Sequence, residues 1–373
     1  MKRVVFVSHS KNLYGAEKVL LNIAKALASQ YEVHVVVPGK GLLKKHLDQV
    51  PGIHTHILWM PILTKRVPGV LVYIAFYFIT VLRLMLLYKR LAPQVVYNNA
   101  LHNLYGSTAA YLLGIPNVWH LHEKYYGGSI GKVLLWFVRR FSTRIIFISQ
   151  YVKETFLQHA PELGDKSLVV YNGIEPESRK IGDSIPGKMM ELLEAEVKPV
   201  VMGTVCQLSE QKRPFDLVLA LETLLKRYPQ MVLVFAGDGY YRSELEKFIA
   251  ARNLTEQVLL LGFVENVPPL LEAIDIFVCP FEGEGFGLVA IEAMALRKPV
   301  IAADSGAFPE IIRNGESGLL FPVGDVGALV ERVERLIESR DLYQVLGEKG
   351  FQASQEFSLI RQAEDISRLI DQL

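Results

Sequence analysis

The chain has 373 residues, of which 50% are hydrophobic and 21% charged, and its formal net charge is +1. This length exceeds one ordinary hydrophobic core and predicts two domains. The composition excludes a disordered or low-complexity polymer. The two cysteines, Cys206 and Cys279, sit in apolar strand-like runs, which excludes a disulfide scaffold and reads as buried thiols in a reducing compartment.

Short apolar runs alternate with longer helical patterns from end to end, the signature of a parallel α/β architecture. Met1-Lys2-Arg3 leads straight into a first strand, Arg3–Ser8, and no signal peptide is expected before it. Ser8-His9-Ser10 closes that strand. Asn12-Leu13-Tyr14-Gly15-Ala16-Glu17 then leads into a helix over Lys18–Ala28. Gly15 allows close backbone approach, and the helix start behind it suits a diphosphate. Further strands are expected at Glu32–Val37, Gln94–Asn98, Asn117–His122, Arg144–Ser149 and Leu168–Tyr171. His54 and His56 would share a strand face but lack zinc-ligand spacing, and no metal site is assigned.

Val70 to Tyr88 is a largely apolar run with one charge, Arg83, flanked by Lys65-Arg66 and Lys89-Arg90. It approaches the roughly 20 residues of a membrane span. Its place between strands of one sheet instead predicts a long helix, partly buried and partly facing a membrane surface. Residues 1–175 hold 20 Lys and Arg against 8 Asp and Glu, a net +12, and the remainder carries −11. A basic half of this kind suits anionic lipid or a phosphate-bearing acceptor. No basic-aromatic strip or known module points to nucleic acid.

After Asn172-Gly173-Ile174 a polar stretch with Gly182, Ser184, Pro186 and Gly187 reads as a hinge. Strands follow at Pro199–Val205, Met231–Ala236, Val258–Leu261, Asp275–Cys279 and Pro299–Ala303, with a helix over Ser243–Arg252. Each half reads as a Rossmann-like sheet, which binds ligands at the carboxyl ends of its strands.

The segment Cys279-Pro-Phe-Glu-Gly-Glu284-Gly-Phe-Gly287-Leu-Val-Ala-Ile-Glu292-Ala-Met-Ala carries the most chemistry. A buried strand runs into a glycine turn that opens a helix near Gly287, which aims free N–H groups and a positive helix end at one point. Carboxylates beside that point suit sugar hydroxyls, since each accepts two or more hydrogen bonds. Glu284 and Glu292, with seven residues between them, resemble the E-x7-E signature of retaining glycosyltransferases of the GT-B fold, in particular the GT4 or group 1 family. The resemblance extends over nearly the whole chain and is strongest from Pro199 to Pro322.

That resemblance implies an α/β fold of two Rossmann-like, doubly wound parallel sheets facing a cleft. Residues 1–173 would bind the acceptor and residues 174–356 the nucleotide sugar, with a C-terminal helix at about 357–373 packing back on the first domain. It assigns Glu292 to the ribose hydroxyls and Glu284 to hydroxyls of the donor sugar. The backbone amides of Phe286, Gly287 and Leu288 would face sugar and phosphate, and Gly262-Phe263-Val264 would form the base-side loop. His122 stands six residues after Pro116, where the family places a histidine at the sugar. Lys212 falls at the family's diphosphate lysine, with Arg213 as an auxiliary. Gln207 replaces the arginine five residues before it and Cys206 the preceding glycine, so more of the diphosphate charge rests on Lys212. Tyr14-Gly15 stands where the family often has Gly-Gly, which puts Gly15 near the donor, while Tyr14 and Glu123 fall to the acceptor side.

The implied catalytic set is therefore His122, Lys212 and Glu284. The implied activity is retaining transfer of a hexosyl group from a UDP- or GDP-linked donor, with no metal required. The acceptor is expected to be a lipid-linked or cell-envelope glycan of polysaccharide biosynthesis, reached at the cytoplasmic face of the membrane by peripheral contact with anionic lipid. Two alternatives stay open: a soluble enzyme of the same fold acting on a small metabolite or glucan, and a non-catalytic nucleotide-sugar-binding protein. Failure to bind membranes would favour the first; donor turnover lost in Glu284→Ala or Lys212→Ala would exclude the second.

Overall fold

The structure, a computed structural model, describes residues 1–61, 67–175, 187–194, 196 and 198–373. Lys65-Arg66 and the hinge stretch from Gly182 to Pro186 lie outside the described residues. The chain divides into two compact units: Met1–Gly173 with Leu359–Leu373, and Ile174–Ser358.

The first unit is built on seven strands: β1 Arg3–Val7, β2 Glu32–Val37, β3 Ile53–Ile57, β4 Val95–Asn99, β5 Asn117–Leu121, β6 Arg144–Phe147 and β7 Ser167–Val169. They pair in parallel in the order β3-β2-β1-β4-β5-β6-β7. Every residue of β4 and β5 is buried, as expected where helices cover both faces of a parallel sheet. The helix Gly15–Leu27 buries Val19, Leu20, Ile23 and Leu27, and the terminal helix Leu359–Asp371 packs on it. Lys2 Nζ meets the Asp371 carboxylate at 3.2 Å, and Tyr31 and Ser367 hydroxyls lie 2.8 Å apart.

The long apolar run is the 25-residue helix Val67–Leu91, the β3-to-β4 crossover. Its inner side buries Tyr73, Val81, Leu84 and Tyr88; Tyr73 stacks on Tyr105 at 4.7 Å and the Tyr77 hydroxyl reaches Thr108 at 2.6 Å. Leu71, Ile74, Phe78, Leu82 and Leu86, spaced three to four residues apart, are exposed. It is the one helix among the described residues long and apolar enough to cross a membrane.

The second unit has six strands: β8 Val200–Val205, β9 Met231–Ala236, β10 Val258–Leu260, β11 Ile276–Cys279, β12 Val300–Ala303 and β13 Leu319–Phe321. They are parallel in the order β10-β9-β8-β11-β12-β13. Leu217, Leu221, Leu233, Phe235, Val278, Phe321 and Val333 form part of its core. In each sheet the chain winds out to one edge from a central strand and then returns to build the other half. The reversal falls between β1 and β4 in the first unit and between β8 and β11 in the second. Open α/β sheets place ligands outside the carboxyl ends of the strands at such a reversal.

Candidate active site

In the second unit, the chain leaving β8 and the chain leaving β11 carry the two groups that meet. Lys212 closes a 3-10 turn, Glu210–Lys212, and its ammonium donates to the Glu284 carboxylate. Burial would push Lys212 down, but the Glu284 charge and the hydrogen bond outweigh it and raise its pKa. Burial would likewise push Glu284 up. Lys212 and hydrogen bonds from the backbone N–H groups of Phe286 and Gly285 instead hold it below the usual carboxylate range. Both groups are therefore charged at neutral pH. Lys212 also lies 4.1 Å from the centre of the Phe281 ring, which adds cation–π attraction. Both side chains retain access to solvent, at 24% and 20% exposure, so a ligand can reach the pair.

The turn that aims Glu284 is built by its neighbours. Gly287 adopts φ 89° and caps the helix Leu288–Ala295; a Cβ there would stand 2.6 Å from the Phe308 ring. Gly306, at φ 64°, passes so close to the Glu284 backbone that a Cβ would lie 2.3 Å from its carbonyl oxygen. The Ala307 N–H donates to that same oxygen at 2.9 Å, and the Gly283 N–H donates to Ser305 Oγ at 2.9 Å. The Asp304-Ser305-Gly306 loop after β12 thus holds the Glu284 turn in place.

Gln207 is exposed just beyond β8, Val264 is half-buried after β10, and Glu292 is half-buried on the helix Leu288–Ala295. The Phe286 side chain is buried against Phe357, at 5.7 Å between rings, and its amide serves Glu284. The Leu288 amide lies in the first turn, where no intrahelical acceptor exists. Arg213 is differently placed. It adopts φ 47°, its Nε donates to Asp216 at 2.6 Å, and its guanidinium lies 3.6 Å from Glu282. Its charge is met by two carboxylates, as that of Lys212 is met by Glu284.

In the first unit, the carboxyl ends of β1, β4 and β5 gather a second group of residues. Tyr14 is 62% exposed at the cap of Gly15–Leu27, and a Cβ on Gly15 would meet open space. The His122 ring lies 4.1 Å from that of His120, and Nε2 is 2.8 Å from Asn99 Oδ1. Burial, and then nearby His9, push the His122 pKa down to about 3, so the imidazole is neutral. Glu123 accepts from the Leu101 N–H at 3.3 Å, and burial raises its carboxyl. Asn99, His9 and Glu17 join this group without having been assigned to it from sequence. Two asparagines ending the otherwise apolar strand Val-Val-Tyr-Asn-Asn were the available signal, because a buried amide needs partners. His54 and His56 flank His34, with His34 Nδ1 3.0 Å from His56 Nε2 and the His34 and His54 rings stacked at 5.0 Å. Among the described residues no group of three or more His, Cys, Asp or Glu side chains is placed to hold a metal.

Two parallel Rossmann-like sheets, each with polar groups at its reversal point, define a GT-B α/β protein. The family model described as "Glycosyl transferases group 1" matches residues 189–353, and "Glycosyltransferase Family 4" matches residues 14–178. The chain belongs to this GT4-type, group 1 glycosyltransferase family. It is similar to the crystal structure of Anabaena HepE in complex with UDP and glucose, with a TM-score of 0.85, 25% identity and all of both chains covered. It is 25% identical over 348 residues to the UDP-Gal:alpha-D-GlcNAc-diphosphoundecaprenol alpha-1,3-galactosyltransferase of Escherichia coli, covering 88% of this chain and 86% of that one. It is 33% identical over 180 residues to the lipopolysaccharide core biosynthesis mannosyltransferase LpsB of Rhizobium meliloti (strain 1021), covering 46% and 51%. The chain spans between 42% and 65% of the length of the first curated relatives it matches.

Proposed function

We propose that the protein transfers a hexosyl group, with retention and without a metal, from a UDP-sugar to a lipid-linked glycan at an anionic membrane surface. The observation that carries the reading is the Lys212–Glu284 pair at the β8/β11 reversal, beside a glycine-capped helix start. The UDP and glucose bound by Anabaena HepE favour UDP over GDP as the carrier, and the diphosphoundecaprenol in the name of the E. coli relative favours a lipid-linked acceptor.

In this reading the donor diphosphate draws the Lys212 ammonium away from Glu284, and Glu284 turns its oxygens to hydroxyls of the sugar. The bond from the anomeric carbon to phosphate oxygen breaks with its electrons passing to the diphosphate, which Lys212 and the helix start stabilise as charge grows. The acceptor oxygen bonds to the same face of the anomeric carbon, and its proton passes to the leaving phosphate oxygen. No side chain is assigned as a nucleophile.

The lipid side rests on the first unit. The helices Val67–Leu91, Leu104–Leu112 and Gly128–Phe141 contain no Asp or Glu. They expose Leu71, Phe78, Leu82, Val133 and Trp136, with Arg83, Lys89, Arg90, Lys132, Arg139 and Arg140 also exposed. Large apolar side chains set among exposed cations match an anionic bilayer surface.

Thermal unfolding against UDP, GDP, ADP and their sugars, with and without Mg2+, tests the donor half. Ligand at 100 times its dissociation constant stabilises the native state by about 2.7 kcal/mol. A shift with UDP alone, equal in EDTA, is expected; Lys212→Ala should slow turnover by about 10- to 150-fold, the equivalent of a lost charged hydrogen bond of about 1.5–3 kcal/mol. No shift with any nucleotide would sink the reading.

A further inference from the structure

We infer that Asn99 is the positioning residue of His122: its side-chain amide fixes the imidazole as the Nε2–H tautomer and leaves Nδ1 as a standing acceptor for a ligand hydroxyl. The argument begins at a backbone carbonyl. The Asn99 amide faces Ala16 O, in the first turn of Gly15–Leu27, at 3.1 Å. A carbonyl oxygen only accepts, so the Asn99 atom facing it is Nδ2, a donor. Oδ1 is then the atom 2.8 Å from His122 Nε2. Oδ1 also only accepts, so Nε2 carries the hydrogen. A neutral imidazole has one N–H, and Nδ1 is therefore bare. Asn99 is completely buried at the end of β4, in register with His120 of β5, so its amide has little freedom to turn over.

The surroundings do not compete for this arrangement. His120 stands on β5, two residues before His122, with its ring at 4.1 Å, and Tyr97 engages the His120 Nδ1 at 2.8 Å. His9 follows β1, Glu17 lies on Gly15–Leu27, and His102 follows β4. Glu123 is spent on the Leu101 N–H. Burial and His9 keep His122 from taking a second proton until about pH 3. Among the described residues nothing donates to His122 Nδ1. A bare nitrogen at the carboxyl end of β5 selects a ligand group that can donate, such as a sugar hydroxyl. It repels a carboxylate or phosphate oxygen, which can only accept. That the hydroxyl belongs to a sugar rests on the proposed function; the tautomer does not.

Nitrogen-15 spectra of the histidine-labelled full-length protein test the tautomer, with the His122 signals identified by their loss in His122→Gln. The native chain should show His122 as Nε2–H, unchanged between about pH 5 and pH 8, where an ordinary imidazole changes charge. An Nδ1–H form, a tautomer mixture or titration in that window overturns the inference. In Asn99→Ala the signals should move toward a mixture. In Asn99→Asp a carboxylate beside Nε2 should bring the titration up into the window. Unchanged His122 signals in either variant, if folded, overturn it. Should both variants fail to fold, the native spectrum still decides. His122 held as Nε2–H in a chain that turns over no nucleotide sugar would sink the functional reading and leave the tautomer standing.

Discussion

Glu17 shows how one buried carboxyl sets a pH dependence. It occupies the third position of its helix and accepts the backbone N–H of Tyr14, the backward half of a capping box. Its side chain is only 2% exposed, and Oε1 has no hydrogen-bond partner. Burial above all pushes its pKa up to about 7. His9 Nδ1 stands 3.5 Å away, also without a hydrogen bond. Burial, then His102, pushes that imidazole down to about 4, so the two do not form an ion pair near neutrality. The folded pKa of Glu17 lies above its ordinary 4.5. Its stabilising contribution is therefore complete below about pH 4.5 and lost as pH rises through about 7. His9 runs the other way, contributing fully above 6.5 and losing that contribution as pH falls toward about 4. Glu17→Gln keeps an oxygen for the Tyr14 N–H and cannot ionise. Denaturant unfolding should find it more stable than the native chain at pH 8, by up to about 3 kcal/mol, with the gap closing toward pH 4.5. An equal difference at both pH values would mean that the carboxyl is not held neutral.

At the scale of the element, the turn into Leu288–Ala295 concentrates the constraint. Gly287 needs a left-handed backbone and has the Phe308 ring where a Cβ would go. Gly287→Ala should destabilise the protein by about 1–3 kcal/mol. It should also weaken UDP binding, because any relaxation of the turn moves Glu284 and the helix start together; titration calorimetry reads the second effect. Unaltered UDP affinity would separate the turn from the nucleotide. This turn was legible in the sequence because strand, glycines and helix each left their own local mark. The central strands were legible for the same reason: burial on both faces makes them near-continuous apolar runs. Of the four edge strands, β7 and β10 were anticipated, but β3 and β13 were not. In β3, Ile-His-Thr-His-Ile mixes polar and apolar residues because only one neighbour pairs with it, and β13 is three residues long. The roles of Asn99 and of Gly306 could not be read either. Asn99 meets an element 83 residues distant in the chain, and Gly306 abuts Glu284 from the next strand's loop. Neither juxtaposition has a local signature.

For the molecule as a whole, the net charge of +1 is the sum of a basic part and an acidic part, so total charge says nothing about adsorption while its distribution says a good deal. Each exposed Lys or Arg near an anionic bilayer contributes about 1 kcal/mol, though Arg139 is already paired with Glu162. Each large apolar side chain fully removed from water adds about 1.5–3 kcal/mol. The two terms respond differently to salt, since the screening length falls from about 10 Å at 0.1 M to about 3 Å at 1 M while apolar insertion is not screened. Sedimentation with phosphatidylglycerol-containing vesicles should therefore show strong binding at low salt and a weaker, persistent fraction at high salt. Neutral phosphatidylcholine vesicles should capture only that fraction. Of the three tryptophans, Trp59 and Trp136 are half exposed and Trp119 is fully buried. A blue shift of emission on binding would therefore report the outer pair. Phe78→Glu with Leu82→Glu should remove the salt-resistant fraction and the part of the shift due to Trp59, which lies 5.1 Å from Phe76 of that helix, while leaving the thermal shift with UDP as it is in the native chain. Absence of binding to anionic vesicles at low salt would remove the membrane from the proposal and turn the acceptor toward a soluble glycan.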